Sequence, residues 1–394
     1  MPAFIDDSDF NDQFNRTLSA ATRGCADLGE AIATIARITP GDFDSWYREW
    51  TRTAEQVMAE GDESLGQDQN ISARRCYLRA AEYYRQAFFF ARDDLERPEL
   101  HTAYDAHVAA FRAAIPLLPY SVETVEIDQN GVAVSGYLLR PDSSDTPRPT
   151  VIAPAGYDST AEAGYSFTAV TALEHGMNCL TFEGPGQGGI LYQRRQYFRP
   201  DFEAVLTPVV DWLVKQTGVD AGALILFGRS FAGYLAPRGA TAEHRLTALV
   251  CDPAQYDFGA AVRAQTGEAV WARLQAHDPS LDADLAPMMA DPHRANGFRA
   301  RMASHGLSSM SDYLRELGRF TLVGRAENIS CRTLALAGEG DFAGTGQLQV
   351  FADALHVPVT THEFTAAEGA GGHCEGLGQD RLDRVVYDWL QAGL

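Results

Sequence analysis

A serine set among small residues marks the part of the chain where chemistry is most readily expected. The apolar segment 224–227 ends at Gly228, Ser230 comes two positions later, and Ala232 and Gly233 follow. This pattern is typical of a nucleophile elbow, a sharp strand-to-helix turn whose neighbours must be small. The commoner pattern has glycine where Ala232 stands, but alanine is still small enough. The alternative is an ordinary strand-turn-helix with an incidental serine.

A nucleophilic serine needs a base, and that base needs an orienting acid. After an elbow, the acid is expected at the end of a later strand and the histidine in a loop after the last strand. His373 fits the histidine position, because it ends the glycine-rich run 368–372. Asp341 is the favoured acid, since it closes a glycine-rich turn behind an apolar segment. Glu339 in the same turn and Asp252 at the end of an earlier predicted strand are the alternatives.

Backbone amides are expected to form the oxyanion hole of such a site. One is the amide of Phe231, directly after the serine, and the other belongs to the first strand-to-helix loop, residues 155–159. Within that loop we choose the Tyr157 amide, and a plain tight turn at Gly156 is the alternative. The glycine-rich turn 183–189 lacks the spacing and lysine of a phosphate loop, so we interpret it as a structural loop at the rim.

Two domains are expected to position these residues. Residues 1–118 are predicted to form an N-terminal helical domain, because apolar residues recur at three- and four-residue steps over 42–58, 72–91 and 100–114. Its many aromatic side chains are expected mostly to pack between helices, with a minority facing the substrate: Phe43, Trp46, Trp50, Tyr77, Tyr83, Tyr84 and residues 88–90.

Residues 119–394 are predicted to form an α/β catalytic domain. A hairpin with Asn130-Gly131 as its turn is followed by alternating strands and helices, which indicates a mostly parallel, doubly wound sheet. A helix is expected over 162–174 and another unit over 345–355. A helical insertion, about 254–328, interrupts the alternation and is expected to lie above the carboxyl ends of the strands, where ligands bind in such sheets.

Composition restricts the function classes. The chain has 394 residues, 45% apolar and 22% charged, with a formal net charge of −21. Such a charge disfavours nucleic acid and anionic membranes as partners. The six cysteines are scattered without metal-binding spacing, and the first fourteen residues lack the apolar core of a signal peptide. We therefore expect a cytoplasmic protein without metal or cofactor.

The chain resembles α/β-hydrolases of the group that contains 2,6-dihydroxypseudooxynicotine hydrolase and the polyketide-shortening hydrolases of fungal pigment pathways. The resemblance rests on the helical N-terminal region with the segment 41–46, and on the segments 182–188, 228–230 and 369–374. It implies the α/β-hydrolase fold and a Ser-His-Asp triad of Ser230, His373 and Asp341. It also implies a further acidic residue near the site, for which Asp257 is a candidate.

The resemblance further implies hydrolysis of a carbon–carbon bond next to a ketone in an aromatic or polyketide-like molecule. An esterase, thioesterase or acyltransferase that uses the same triad is the first alternative, and a catalytically silent protein that binds a hydrophobic ligand is the second. The expected partner is a small hydrophobic or aromatic substrate. The N-terminal helices, if they expose apolar surface, make a homodimer a further expectation.

Overall fold

The strands form one mixed sheet in the computed structural model, which describes residues 4–393. There are eight strands: β1 (Ser121–Gln129), β2 (Val132–Arg140), β3 (Arg148–Pro154), β4 (Asn178–Glu183), β5 (Val219–Arg229), β6 (Leu246–Asp252), β7 (Arg332–Gly338) and β8 (Val359–Phe364). Their order is β1-β2-β4-β3-β5-β6-β7-β8. The pairs β1–β2 and β2–β4 are antiparallel and all others are parallel. This is the predicted mostly parallel sheet.

The hairpin at the edge of the sheet forms where the sequence predicts it. Gln129 pairs with Val132, so that Asn130 and Gly131 are the two turn residues. Both have positive φ, 55° and 76° respectively, as a type I′ turn requires. Because β2 also pairs with β4, the hairpin continues into the parallel part of the sheet.

Five helices precede the sheet: α1 (Ser8–Ala21), α2 (Leu28–Ile35), α3 (Phe43–Gly66), α4 (Asn70–Phe88) and α5 (Pro98–Ala114). The first three begin behind an aspartate, Asp7, Asp27 or Asp42, whose carboxylate accepts hydrogen bonds from amides of the first turn. Helix α3 is longer than the predicted 42–58, because its later turns still pack on α4, where Gly61 is buried against the Tyr77 ring.

Eleven further α-helices accompany the strands: α6 (Val170–Glu174), α7 (Gly188–Tyr192), α8 (Glu203–Leu213), α9 (Ala232–Ala240), α10 (Phe258–Thr266), α11 (Glu268–Gln275), α12 (Leu281–Leu285), α13 (Pro292–Ser304), α14 (Met310–Leu317), α15 (Leu348–Asp353) and α16 (Gln379–Gln391). Helices α10 to α14 lie between β6 and β7, at the predicted insertion. No helix within residues 4–393 is long and apolar enough to cross a membrane.

Two local predictions differ from the structure. The helix expected over 162–174 is a π-helical turn at Tyr165–Ala169 that continues into α6. A single inserted residue distinguishes a π turn from an α turn, and hydrophobic periodicity does not resolve that difference. Helix α7 was not predicted, because its two glycines indicate a turn rather than a helix.

The sheet is covered on both faces. One hydrophobic cluster joins the N-terminal helices to one face and includes Trp46, Phe88 and Val151. A second cluster, with Val209 of α8 and Leu235 of α9, covers the other face. A third lies within the insertion. The N-terminal helices therefore share their core with the sheet, and the domain limits at residues 118/119 and 254–328 stay predictions.

A buried carboxyl group organises the glycine-rich turn after β4. Glu183 accepts hydrogen bonds from the Gly189 amide at 2.6 Å and from the Tyr104 hydroxyl of α5 at 3.1 Å. A Cβ on Gly188 would lie 1.8 Å from the Glu183 carboxylate, so the turn can wrap around this group only with glycine there. Burial, together with the nearby charge of Glu162, raises the pKa of Glu183 to about 8.

Because this pKa is raised above the ordinary 4.5, the protonated Glu183 stabilises the fold at low pH, and that contribution is lost as the pH rises from 4.5 to about 8. Between about pH 5.5 and about pH 8.5, we expect the free energy of unfolding of the wild type to fall by at least about 1 kcal/mol more than that of Glu183→Gln. Urea unfolding of both proteins at the two pH values measures this difference. The exposed Glu55→Gln is the control and should behave as the wild type. Equal pH dependence in all three proteins would contradict the raised pKa.

Candidate active site

The serine at the end of β5 sits in a strained and crowded turn. Ser230 has a φ of +58°, and its amide donates to the Asp252 carbonyl at 2.7 Å. A Cβ on Gly228 would lie 2.0 Å from the Ala232 carbonyl oxygen, and one on Gly233 would lie 2.0 Å from the Pro253 carbonyl oxygen. The elbow pattern is thus explained by close backbone approach, and the hydroxyl is presented at the carboxyl edge of the sheet.

A histidine from the loop after β8 reaches this serine. The Nε2 atom of His373 lies 2.8 Å from Ser230 Oγ. The loop is fixed to β7, because the Gly372 amide donates to the Glu339 carbonyl at 2.8 Å. The exposed ring of Phe342 stacks on the imidazole, with ring centres 5.5 Å apart. The imidazole is therefore held against the hydroxyl on one side and covered on the other.

The carboxylate of Asp341 completes a chain of hydrogen bonds. Both of its oxygens lie 3.0 Å from His373 Nδ1, and its side chain is 2% exposed. The Ala343 amide donates to the same carboxylate at 2.8 Å, which fixes its orientation. The structure thus brings together Ser230, His373 and Asp341, the three residues that the sequence selects.

The other acidic candidates have different partners. Glu339 accepts a hydrogen bond from the Ala366 amide at 2.7 Å. Asp257 caps helix α10, with its carboxylate accepting from two amides of the first turn. Asp252 faces the Arg229 guanidinium at 3.3 Å. None of the three has a hydrogen bond to His373 among the residues that the structure describes.

The arginine before the serine ties the histidine loop to the elbow. Arg229 donates to the Cys374 carbonyl at 3.2 Å and to the Gln379 side chain at 2.9 Å. Burial raises the pKa of Asp252, while the charge of Arg229 opposes that shift; burial also raises the pKa of Glu375, well above its usual range. The Arg229 guanidinium and the Asp252 carboxylate thus face each other inside the protein, at 3.3 Å. Sequence reasoning missed this role of Arg229, although it lies inside the elbow motif.

The predicted oxyanion loop lies directly against the serine. A Cβ on Gly156 would be 3.1 Å from Ser230 Cβ and 3.4 Å from Ser230 Oγ. The amides of Tyr157 and Phe231 donate no hydrogen bond to another group within residues 4–393. The Tyr157 ring packs on the Phe231 ring, 4.4 Å between centres, and its hydroxyl is hydrogen-bonded to His305 of the insertion. Burial lowers the pKa of His305 to about 3, so this imidazole is neutral.

A cavity of about 110 Å³ opens beside the serine. It is lined by both halves of the chain, including Ser230, His373, Phe167, Phe227 and the arginines of α1 and α4. None of the N-terminal aromatic residues named above belongs to its described lining. Several of their rings pack on one another, among them Trp46 on Trp50 and Trp50 on Tyr83, as expected for side chains that pack between helices.

A family model described as "Esterase FrsA-like" matches residues 28–257, more than half of the chain. The chain belongs to the FrsA-like esterase family. This match spans four of the N-terminal helices, the oxyanion loop and the elbow. The chain is therefore a hydrolytic enzyme.

Fungal hydrolases are among the relatives of this FrsA-like enzyme. Hydrolase acrC of Aspergillus aculeatus is 30% identical over 388 residues, which cover 92% of this chain and 90% of the relative. The 20-hydroxy-prefusarin hydrolase FUS2 of Gibberella moniliformis is 32% identical over 251 residues, 62% of this chain and 60% of the relative. These relatives confirm the predicted resemblance to fungal hydrolases.

A solved structure confirms the fold of the FrsA-like enzyme over nearly its whole length. The crystal structure of the 2,6-dihydroxy-pseudo-oxynicotine hydrolase superposes with a TM-score of 0.74 and covers 96% of this chain and 95% of the other. The two chains are 20% identical. The likeness therefore confirms the predicted α/β-hydrolase architecture, N-terminal helices included.

The contact between Gly156 and the serine leads to a first prediction for activity. A methyl group at Gly156 would press on Ser230 Cβ and on the Arg229 carbonyl, 3.1 and 3.2 Å away, and displace the loop. We expect Gly156→Ala to lower kcat/KM by roughly ten- to a hundredfold, with unchanged melting temperature to within a few degrees. Gly297→Ala is the matched control, because nothing lies within 4 Å of its Cβ. An unaltered kcat/KM for Gly156→Ala would contradict this placement of the loop.

The three acids can be separated by charge-removing substitutions. We expect Asp341→Asn to lower kcat by roughly three to four orders of magnitude, because the amide would stabilise the wrong imidazole tautomer. Glu339→Gln keeps an acceptor for the Ala366 amide and should leave kcat nearly unchanged. Asp252→Asn should act mainly on stability, since it removes the charge opposite Arg229. A larger loss of kcat in Glu339→Gln than in Asp341→Asn would instead identify Glu339 as the acid that orients His373.

Proposed function

We propose that the enzyme is a cofactor-free serine hydrolase that cleaves a carbon–carbon bond adjacent to a ketone in an aromatic or polyketide-like small molecule. The observation that carries the proposal is the continuous hydrogen-bond chain from Ser230 through His373 to Asp341, at 2.8 and 3.0 Å. The names of the 2,6-dihydroxy-pseudo-oxynicotine hydrolase and the 20-hydroxy-prefusarin hydrolase support the substrate class.

The first half of the reaction forms an acyl-enzyme. His373 Nε2 takes the hydroxyl proton as Ser230 Oγ attacks the ketone carbon, and the carbonyl electron pair moves onto oxygen. The amides of Phe231 and Tyr157 stabilise this oxyanion, each worth about 3 kcal/mol. When the carbonyl re-forms, the carbon–carbon bond breaks and its electron pair leaves on carbon. A neighbouring carbonyl or phenol delocalises that pair, and His373 returns the proton to it.

The second half releases the acid. A water molecule gives its proton to His373 and attacks the acyl-enzyme, and collapse of the intermediate returns the proton to Ser230. The products are one carboxylic acid and one ketone or arene. Throughout, Asp341 holds the imidazole tautomer and stabilises its charged form.

The alternative is an esterase, thioesterase or acyltransferase that uses the same residues. The description of the matching family as esterases favours it specifically. An alkoxide or thiolate leaves without a delocalising group, so the distinction depends on the leaving group of the substrate and not on the triad. Acyl transfer would in addition require that the cavity excludes water.

The proposal includes the setting of the reaction. The substrate is a small hydrophobic or aromatic molecule, and neither nucleic acid nor membrane is a partner, as the charge of −21 favours. A cytoplasmic location and a homodimer formed through the N-terminal helices belong to the same proposal. Gel filtration with light scattering tests the homodimer.

Product analysis by mass spectrometry tests the chemistry. We expect the wild type to split aryl β-diketones into an acid and a ketone, and Ser230→Ala to lower the rate by roughly 10⁴- to 10⁶-fold. Cys374→Ala is the control for a neighbouring nucleophile and should retain activity, because desolvation raises the pKa of this half-buried thiol well above the usual range.

Each other outcome has a distinct meaning. Ser230-dependent activity confined to an ester or thioester panel would favour the alternative chemistry. Diketone cleavage that survives in Ser230→Ala would contradict the nucleophilic role of the serine. A fluorophosphonate probe that labels wild type but not Ser230→Ala verifies independently that the hydroxyl is reactive.

A further inference from the structure

The cavity beside the serine carries an unusual concentration of positive charge. Arg16 of α1, Arg85 of α4 and Arg229 of β5 all line it, together with the apolar side chains of Phe167 and Phe227. Arginine inside a protein is normally paired with carboxylates or other acceptors. The hydrogen-bond and ion-pair partners of each guanidinium therefore show which of the three arginines is available to a ligand.

Two of the three guanidinium groups are paired with a carboxylate at hydrogen-bond distance within the protein. Arg85 is 2% exposed and donates to both oxygens of Glu82, at 2.7 and 2.8 Å. Arg229 faces Asp252 and donates to Gln379 and to two backbone carbonyls. These contacts fix the walls of the cavity and leave no unmatched charge.

Arg16 differs from both. Its guanidinium makes no hydrogen bond to any group within residues 4–393, although its side chain is only 32% exposed and lines the cavity. The nearest carboxylate is that of Asp158, 3.7 Å away, and this carboxylate lies closer to Arg92, at 2.6 Å. Burial lowers the pKa of Arg16. The charge of Asp158 opposes this shift, whereas the charge of Arg85 adds to it. Among residues 4–393, the Arg16 guanidinium therefore has one carboxylate within 4 Å, which it shares with Arg92, and its N–H donors are left without a hydrogen-bond acceptor.

The geometry points to Arg16 as the residue that binds an anionic oxygen of the substrate, a carboxylate or an ionised phenol, in the cavity that contains Ser230 and His373. The inference rests on the proposed function, whose substrate class it narrows to molecules with an acidic group. A guanidinium with free donors forms short, bidentate hydrogen bonds to such oxygens. Asp158 lies within the predicted oxyanion loop, and its carboxylate is 3.7 Å from the Arg16 guanidinium.

Binding measurements on a protein without the nucleophile test this assignment. Ser230→Ala and the double variant Ser230→Ala with Arg16→Met are titrated by calorimetry with two ligand pairs. Benzoate and benzamide differ in a carboxylate, and 4-nitrophenolate and 4-nitroanisole differ in an ionised phenol. We expect Arg16→Met to raise the Kd of an anionic ligand by roughly 10- to 100-fold and to leave its neutral partner unchanged.

Two further variants control for charge and folding. Arg52→Met removes an arginine whose side chain is 69% exposed on α3, and it should leave all four affinities unchanged. Arg16→Lys keeps the charge without the planar fork, so we expect it to recover part of the affinity for the anion. Melting temperatures of the variants show whether any change in affinity comes from unfolding.

The outcomes distinguish a carboxylate from an ionised phenol as the anionic group, and they separate this inference from the proposed function. A response of the benzoate pair alone supports a carboxylate, and a response of the nitrophenolate pair alone supports a phenol. Equal changes for anionic and neutral partners, or no preference for the anion in Ser230→Ala, overturn the assignment. Because the readout is binding without catalysis, failure of diketone cleavage would leave this result intact and would count only against the proposed function.

Discussion

Close backbone packing around one serine is the constraint on which the rest of the structure depends. Ser230 holds a left-handed conformation that costs about 1–3 kcal/mol. It persists because β5, β6 and the first loop meet there without side chains at Gly228, Gly233 and Gly156. The same crowding brings the Phe231 amide and the oxyanion loop to the hydroxyl. The absence of side chains at these three glycines therefore permits the site to form, because a Cβ at any of them would press on the neighbouring backbone or on Ser230.

The histidine loop depends on a second constraint, buried charge. Cys374, Glu375 and Gly376 all have positive φ, between 48° and 59°, so the loop is unfavourable in isolation. Arg229 and Gln379 hold the Cys374 carbonyl, and the charge of Arg229 is balanced by Asp252. The ion pair lies beneath the triad and does not touch the hydroxyl. Its effect is geometric, since it keeps an otherwise strained loop within hydrogen-bond distance of the serine.

The sequence predicts what short-range spacing determines. The elbow, the hairpin turn and the order of serine, acid and histidine follow from local residue types. Spacing favours Asp341 over Glu339 but keeps Glu339 as an alternative, because which of two carboxylates in one turn points to His373 depends on the turn at Gly340, with a φ of 80°. Arg16 left no signal either. An arginine on an amphipathic helix indicates a solvated face, and only the packing of α1 against α4 places it at the cavity.

In the proposed mechanism, reaction and substrate selection are divided between two parts of the chain. The edge of the sheet would supply the nucleophile, the base and the oxyanion amides, which would serve any acyl group. The N-terminal helices supply Arg16 and Arg85 to the same cavity. A cation there suits an acidic group remote from the cleaved bond, because the attacked ketone must stay in its keto form: ionised as an enolate, it would be a poor electrophile. Under the proposal, positive charge placed beside, rather than on, the reacting carbonyl would orient an acidic substrate without suppressing the attack by Ser230.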